Sequence, residues 1–144
     1  MSDHDDRLPM LQMLEHASEA LELIRGRPRA EMQTNRVLQL ALAHLVLVVG
    51  EAATRVSSAV RVQHPEIPWA KAIAARNFLA HGYDRTDYEV VWDTIAEHFP
   101  ALVTALERAL GRNLTDARQS HVRPGLRQAT GGPRRRRPAQ ALVH

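Results

Sequence analysis

The sequence predicts an all-α fold, an up-and-down bundle of four or five helices, from three observations. Hydrophobic residues make up 44% of the 144-residue chain and aromatic residues only 4%, so Leu, Val, Ala and Ile must build the core. Such a composition favours helices over a β-sandwich. Apolar residues recur at helical spacing over residues 5–110, and no period-two alternation is long enough for a strand.

The first helix is predicted from Asp5 or Asp6 to Arg25. Acidic residues at its start complement the helix dipole, and Gly26 is a natural stop. Its apolar residues recur every three or four positions and are Leu8, Leu11, Leu14, Leu21 and Ile24.

A long second helix is predicted from a cap at Thr34 or Asn35 to about Val62. Its apolar residues cover more than one stripe, so we expect it to be the central helix and to be largely surrounded by protein. His44 lies among Leu and Val in its middle, and we interpret it as a hydrogen-bonded interior or interface histidine.

Two prolines within His64–Pro68 exclude a continuous helix there and predict a turn. Pro68 suits the first position of a third helix, which Gly82 is expected to end. The positions expected to be buried in that helix are Trp69, Ile73 and Leu79.

A fourth helix is predicted after Thr86, which has the spacing of a capping box with Glu89. Its apolar positions are Val90, Val91 and Ile95. Pro100 is expected to break or kink this helix, and the helical pattern then continues to Gly111.

The charge divides the chain into a predicted helical domain, residues 1–110, and a predicted disordered Arg-rich tail, residues 111–144. Residues 1–110 carry 11 Lys and Arg against 15 Asp and Glu, a net of −4. Residues 111–144 carry eight Arg against Asp116, a net of +7, which gives the chain its +3. The tail could add non-specific RNA affinity through phosphate neutralisation, or it could be a solvated appendage without a role.

Several classes of protein and site are not indicated. The absence of cysteine excludes disulfides and thiolate zinc sites, and no H-E-x-x-H or clustered carboxylate set predicts a metal or cofactor. Residues 1–9 are acidic and polar, unlike a signal peptide, and the apolar run Val37–Val49 is too short to cross a bilayer. We therefore expect a cytoplasmic protein.

Residues 75–83 hold the densest set of groups able to bind a phosphate or move a proton. Asn77 and His81 are four residues apart and share a helix face. Arg76 and His81 are five apart, about 140° around a helix, so a straight helix splays them. For both to meet one substrate, the helix must loosen near His81, or a second copy of the motif must face the first across a two-fold axis.

These residue types suit RNA cleavage without a metal. The guanidinium of Arg donates two parallel hydrogen bonds to phosphate oxygens, and His exchanges protons near neutral pH. Together they could activate a ribose 2′-OH and stabilise the charged phosphorus centre. The same two residues near a helix end also fit a surface pair or a partner for the helix dipole.

Three segments, in order, resemble the HepT-like branch of the HEPN superfamily. Residues 49–53, Val-Gly-Glu-Ala-Ala, are similar to its I/V-G-E-A segment, and His64–Trp69 to its Y/H-P-E-I-P-W turn. Residues 76–83, followed by Val90-Val91-Trp92, are similar to its R-N-x-x-x-H-x-Y block and the V-W after it. The family usually ends near Leu110, so the tail departs from it. The resemblance implies a HEPN-like homodimer that acts as the ribonuclease toxin of a type II toxin–antitoxin pair.

The resemblance also implies roles for individual residues. It makes Arg76 and His81 catalytic, with Asn77 supporting them. Tyr83 matches the tyrosine that a minimal nucleotidyltransferase antitoxin can modify with AMP, although packing at a helix end is an alternative role for it. Glu51 could contact the active arginine, position the interface or form a purely structural ion pair.

Two alternative functions stay open. The chain could be a non-catalytic HEPN module that binds nucleotide or holds a nucleotidyltransferase partner, with Arg76 gripping a phosphate. It could also be a structural helical dimer without a ligand. Trp69 and Trp92 are interpreted as core residues rather than base-stacking platforms.

Overall fold

The computed structural model describes residues 5–81 and 86–111, and every regular element in these two ranges is helical, which confirms the all-α prediction. Gly82, Tyr83 and the part of the predicted tail after Gly111 lie outside the described residues. A 3-10 turn at Arg29–Gln33 precedes α2, and a π turn at Thr94–His98 joins α5 to α6. The α-helices are α1 (Arg7–Ile24), α2 (Arg36–Thr54), α3 (Ser58–Gln63), α4 (Trp69–Ala80), α5 (Tyr88–Asp93) and α6 (Phe99–Leu110).

The core lies where α2 packs between α1 and α4, with α6 against α1. Burying one large aliphatic side chain contributes about 1.5–3 kcal/mol, so this region supplies most of the stability. α2 is therefore the central helix, as predicted. The fully buried large side chains of α1, α2 and α6 are Met13, Leu14, Leu42, Val46, Val49, Leu102 and Leu106.

One face of α2 is exposed, so the prediction that protein surrounds this helix is wrong for that face. Val37 is 77% exposed, Leu40 is 52% exposed, and His44 is exposed on the same side. His44 is thus not an interior histidine. α2 has the length and the mean hydropathy, 1.8, of a membrane span, but 44% of that window is buried inside the protein. Length and composition are therefore weak evidence that it crosses a membrane.

The predicted long second helix is in fact two helices. Asn35 caps α2 by accepting a hydrogen bond from the Leu38 N–H (3.0 Å), but α2 ends at Thr54. Ser57 then caps α3, and the Asp6 carboxylate accepts from both its N–H (2.7 Å) and its hydroxyl (2.8 Å). Because Asp6 fixes Ser57 outside the helix, α2 cannot continue to Val62.

The start of α5 also differs from the prediction. Asp87, not Thr86, is the cap, since its carboxylate accepts from the Glu89 N–H (3.0 Å). The Glu89 carboxylate faces the 3-10 turn instead, where it accepts from Arg29 (2.9 Å) and Gln33 (2.7 Å). The hydrogen bond to Glu89, and to a smaller extent the one to Asp93, raises the pKa of the Arg29 guanidinium. This charged cluster holds α5 against the turn before α2.

Pro100 does not break the last helix. The π turn at Thr94–His98 lies directly before it, and helical structure runs from Tyr88 through to Leu110. Proline has no backbone N–H to donate, and its ring crowds the preceding turn. The wider π turn accommodates both without ending the helix. Gly111 ends α6 with φ +66°, as predicted. Of the apolar positions predicted in α1, Leu8 is 56% exposed and does not belong to the core.

Candidate active site at the end of helix α4

The N-terminal end of α4 is anchored in the core. In the predicted turn, Ile67 is 1% exposed and Trp69 is 8% exposed, and the Trp69 indole N–H donates to the His64 carbonyl (3.0 Å). The other two predicted positions, Ile73 and Leu79, are only partly buried. α4 therefore begins inside the protein and ends at its surface. Trp92 is buried in the core, as predicted for both tryptophans.

Gly50 sets the distance between α2 and α4. A Cβ at this position would lie 2.2 Å from the Arg76 Cβ and 2.6 Å from the Ala72 carbonyl oxygen. Atoms in proteins do not approach so closely, so only glycine lets the two helices pack this way. The close approach lays Arg76 against α2, next to Glu51.

This role of Gly50 was missed in the sequence analysis, although the sequence carries a signal for it. Gly50 lies inside a mostly apolar helix, where glycine costs about 1 kcal/mol relative to alanine. A glycine placed there at such a cost usually has a packing reason.

Arg76 is held by two side chains, which bind different nitrogens of its guanidinium. Its Nε–H donates to Oε2 of Glu51 (2.8 Å), and its Nη2 lies 2.7 Å from the same oxygen. Its Nη1 donates to Oδ1 of Asn77 (2.7 Å). A guanidinium carries five N–H groups, so each terminal nitrogen keeps one N–H beyond these contacts. With 31% of its side chain exposed, Arg76 is oriented at the surface and can still donate to a phosphate.

Glu51 is therefore the residue that orients Arg76. Two of its proposed roles, contact with the active arginine and a structural ion pair, describe this one interaction. Its side chain is 40% exposed, and ion pairs at such exposure contribute only about 0–1 kcal/mol to stability. The direction that the contact gives to the guanidinium matters more than its energy.

His81 lies at the exposed end of α4. Its backbone N–H still bonds to the Asn77 carbonyl (3.1 Å), but its φ of −111° and ψ of 8° depart from helical values. The helix thus loosens at His81, as one of the two predicted routes requires. No hydrogen bond joins Arg76 to His81 within the residues that the structure describes.

The structure brings Arg76 together with Asn77 and Glu51, and it places His81 one turn further along on an exposed end. Tyr83 lies outside the described residues. No group of three or more His, Asp or Glu side chains in the described ranges is arranged to hold a metal ion. The arrangement supplies an oriented guanidinium, which could bind a phosphate, and a solvent-accessible imidazole, which could transfer a proton.

Comparison with known proteins identifies the family that this chain matches. The family model described as ribonuclease HepT-like matches residues 13–109, which include Gly50, Glu51 and the block from Arg76 to His81. A candidate RNase of Methanocaldococcus jannaschii is 26% identical over 107 residues, 74% of this chain and 98% of the relative. A candidate ribonuclease HepT of Thermococcus cleftensis is 31% identical over 99 residues, 66% of this chain and 90% of the relative. No solved structure matches this chain.

Proposed function

The chain belongs to the HepT-like ribonuclease family of the HEPN superfamily, and we propose that it is the metal-independent endoribonuclease toxin of a type II toxin–antitoxin system. The observation that carries the proposal is the fixed orientation of Arg76, held by Glu51 and Asn77 on the helix that ends at His81. RNA is the substrate class that the family and its RNase relatives support.

In the proposed reaction, the N–H groups that Arg76 keeps donate to non-bridging oxygens of one phosphodiester. His81 takes the proton of the neighbouring ribose 2′-OH, and the 2′-oxygen attacks phosphorus. The O2′–P bond forms, the P–O5′ bond breaks, and the leaving 5′-oxygen takes a proton from a second acid. Arg76 stabilises the extra negative charge at phosphorus during the step. The products carry a 2′,3′-cyclic phosphate and a 5′-OH.

The need for a second acid supports a homodimer. Each chain offers one His81, and within one chain His81 does not contact Arg76 among the described residues. Two chains related by a two-fold axis would place two copies of the block around one cleft. The exposed face of α2 with Val37, Leu40 and His44 lies, by helical spacing, on the same side as Glu51 and is a candidate contact for the second chain. A monomeric mass in light scattering, together with full RNA cleavage at the same protein concentration, would contradict the dimer.

The proposed partner is a minimal nucleotidyltransferase antitoxin that transfers AMP to Tyr83. A phenol two residues after His81 becomes bulky and anionic when modified, which would block access to the site. When the chain is co-expressed with the antitoxin, mass spectrometry should find AMP on Tyr83. It should find no AMP on a Tyr83→Phe variant. An adjacent reading frame with a G-S-x-x-x-G…D-x-D pattern would identify such a partner.

Cleavage of single-stranded RNA by the purified protein in EDTA tests the proposed activity. Fragments with 2′,3′-cyclic phosphate ends are expected. His81→Ala should lower the rate by about 100- to 10,000-fold because it removes the proton-transfer group. Arg76→Lys should also lower it strongly, since an ammonium cannot form the parallel pair of hydrogen bonds.

His64→Ala is a matched control, because His64 lies in the turn before α4 and its side chain contacts exposed Glu66. Its cleavage rate should equal that of the unaltered chain. In cells, induced expression should stop growth, and His81→Ala or Arg76→Ala should restore it. If both variants stay toxic, the mechanism is wrong. RNA or nucleotide binding without any cleavage would support the non-catalytic HEPN module instead.

A further inference from the structure

A groove runs along α4, between this helix and the segment from α5 to α6. Its volume is about 360 Å³, within the range of pockets that hold small ligands. Its walls are mostly apolar and include Ala72, Ala75 and Phe78 on one side and Val90, Phe99 and Leu102 on the other. Phe78 and Val90 are each 41% exposed, so an aromatic ring stands open to solvent at this groove.

We propose that this groove is a nucleobase subsite, in which a base of the RNA next to the cleaved phosphate stacks on Phe78. The inference rests on the proposed ribonuclease function and adds to it the means by which the substrate is gripped. Stacking on an exposed aromatic ring is a common way for proteins to hold single-stranded nucleic acid, since every base has a π-face.

The position of Phe78 connects the groove to the chemistry. Phe78 follows Asn77 directly and precedes His81 by three residues on the same helix. Side chains three apart on a helix are neighbours, with about 5–6 Å between their Cβ atoms. A base against the Phe78 ring would therefore leave its phosphate beside His81 at the end of α4, whereas Arg76 lies about 200° around the helix from Phe78 and packs against α2.

The charge of the groove suits an anionic occupant such as a nucleic acid. Its polar lining includes Lys71 and His98, and no Asp or Glu is among the described residues that line it. Lys71 and His98 are both exposed and can meet backbone phosphates. The small side chains of Ala72 and Ala75 leave room beside the ring, so the groove is open for a planar group.

The test measures binding in the His81→Ala background, so that it does not depend on cleavage. Fluorescently labelled single-stranded oligoribonucleotides are compared with an oligomer of the same length that has the sugar–phosphate backbone and no bases. Phe78→Ala should weaken binding of the base-containing RNA about ten-fold or more and leave the abasic oligomer nearly unchanged. Phe78→Trp should retain the preference for bases.

Two further variants separate the groove from the ring itself. Ala75→Leu, which fills the groove and keeps Phe78, should cause the same selective loss. Leu8→Ala removes a hydrophobic side chain that is 56% exposed on α1 and should bind both oligomers as the background does. Thermal melting of each variant confirms that it is folded.

The proposal would be overturned if every variant bound both oligomers equally, or if the background protein showed no preference for bases. Either result is compatible with cleavage of RNA by the unaltered chain. A smaller mass in light scattering for Phe78→Ala, with the mass of Leu8→Ala unchanged, would assign the groove to a second copy of the chain and would also overturn it. If the variants selectively lose binding of base-containing RNA and the unaltered chain does not cleave RNA, the subsite is upheld and the ribonuclease function is refuted.

Discussion

The two helices that meet at Gly50 differ in how much of each is buried. α2 buries eight of its 19 residues, whereas α4 buries only Trp69 and Ala72 among its 12. The polar groups that could carry chemistry are on α4, at its exposed end. The stabilising contacts are concentrated on α2 and on α1 and α6 around it.

The difference shows how an exposed set of polar groups can be oriented by the buried side of its own helix. α4 is fixed at its start by Trp69, in its middle by the close approach to Gly50, and near its end by the contact of Arg76 with Glu51. Because the exposed end of α4 contributes little to the core, changes at that end should alter activity and changes to the buried side chains of α2 should alter stability. Variants placed on each helix can break that separation.

Leu42→Ala should have the largest effect on stability. Leu42 is 0% exposed in the middle of α2, and removing its side chain leaves a cavity among close-packed neighbours. Urea denaturation should show a free energy of unfolding lower by about 2–5 kcal/mol. Leu8→Ala, at a position 56% exposed, should change it by less than about 0.5 kcal/mol. Equal losses for the two variants would contradict the assignment of the core.

Gly50→Ala should have the next largest effect, and it should affect both helices. The added methyl would overlap the Arg76 Cβ and the Ala72 carbonyl, so α4 must move away from α2. Overpacking of this kind costs about 1–3 kcal/mol of unfolding free energy, measured by urea denaturation.

The same variant should lower the rate of RNA cleavage, since Arg76 would no longer meet Glu51 in its present geometry. Shifting a substrate-binding group by about 1 Å can cost on the order of 100-fold in rate. His81→Ala, by contrast, should lower the cleavage rate by about 100- to 10,000-fold with almost no change in stability. Normal stability and normal cleavage in Gly50→Ala would show that the spacing of the two helices does not position the site.

Much of the fold could be predicted from local patterns. The turn at His64–Pro68, the Asn35 cap and the Gly111 stop depend on residues close together in sequence, and the structure has all three. The errors arose where a distant residue decides. Ser57 interrupts the second helix because Asp6, 51 positions earlier, binds it. In the same way, Arg29 binds the Glu89 carboxylate, which a capping box would have placed on the backbone N–H of Thr86.

The candidate site divides along the same line. The residue types and spacing from Arg76 to His81 could be recognised in the sequence, and so could Gly50 and Glu51 as part of a family segment. Contact of Glu51 with Arg76 was one of several roles that the sequence left open for Glu51, and the sequence could not choose among them because the contact spans 25 positions. The groove beside Phe78 was also not predictable, since its walls come from segments between Pro68 and Leu102 that only the packing brings together.

Ser18→Ala should have the smallest effect, and it should raise stability. Ser18 is 8% exposed on the buried side of α1, and within the described residues its hydroxyl has no hydrogen-bond partner. A buried hydroxyl without a partner keeps its desolvation cost, and serine is also a poorer helix former than alanine. Urea denaturation should show a gain of about 1 kcal/mol, with the rate of RNA cleavage unchanged because α1 carries none of the proposed catalytic residues.

Ala17→Ser is the matched reverse change at the neighbouring position, which is 0% exposed. It should lower the free energy of unfolding by about 1–3 kcal/mol, since it adds a buried hydroxyl. If Ser18→Ala instead destabilises the protein, its hydroxyl has a bonding partner in solution. If either variant changes cleavage while the protein stays folded, the core around α2 and the surface of α4 are coupled, and the separation drawn between the two helices fails.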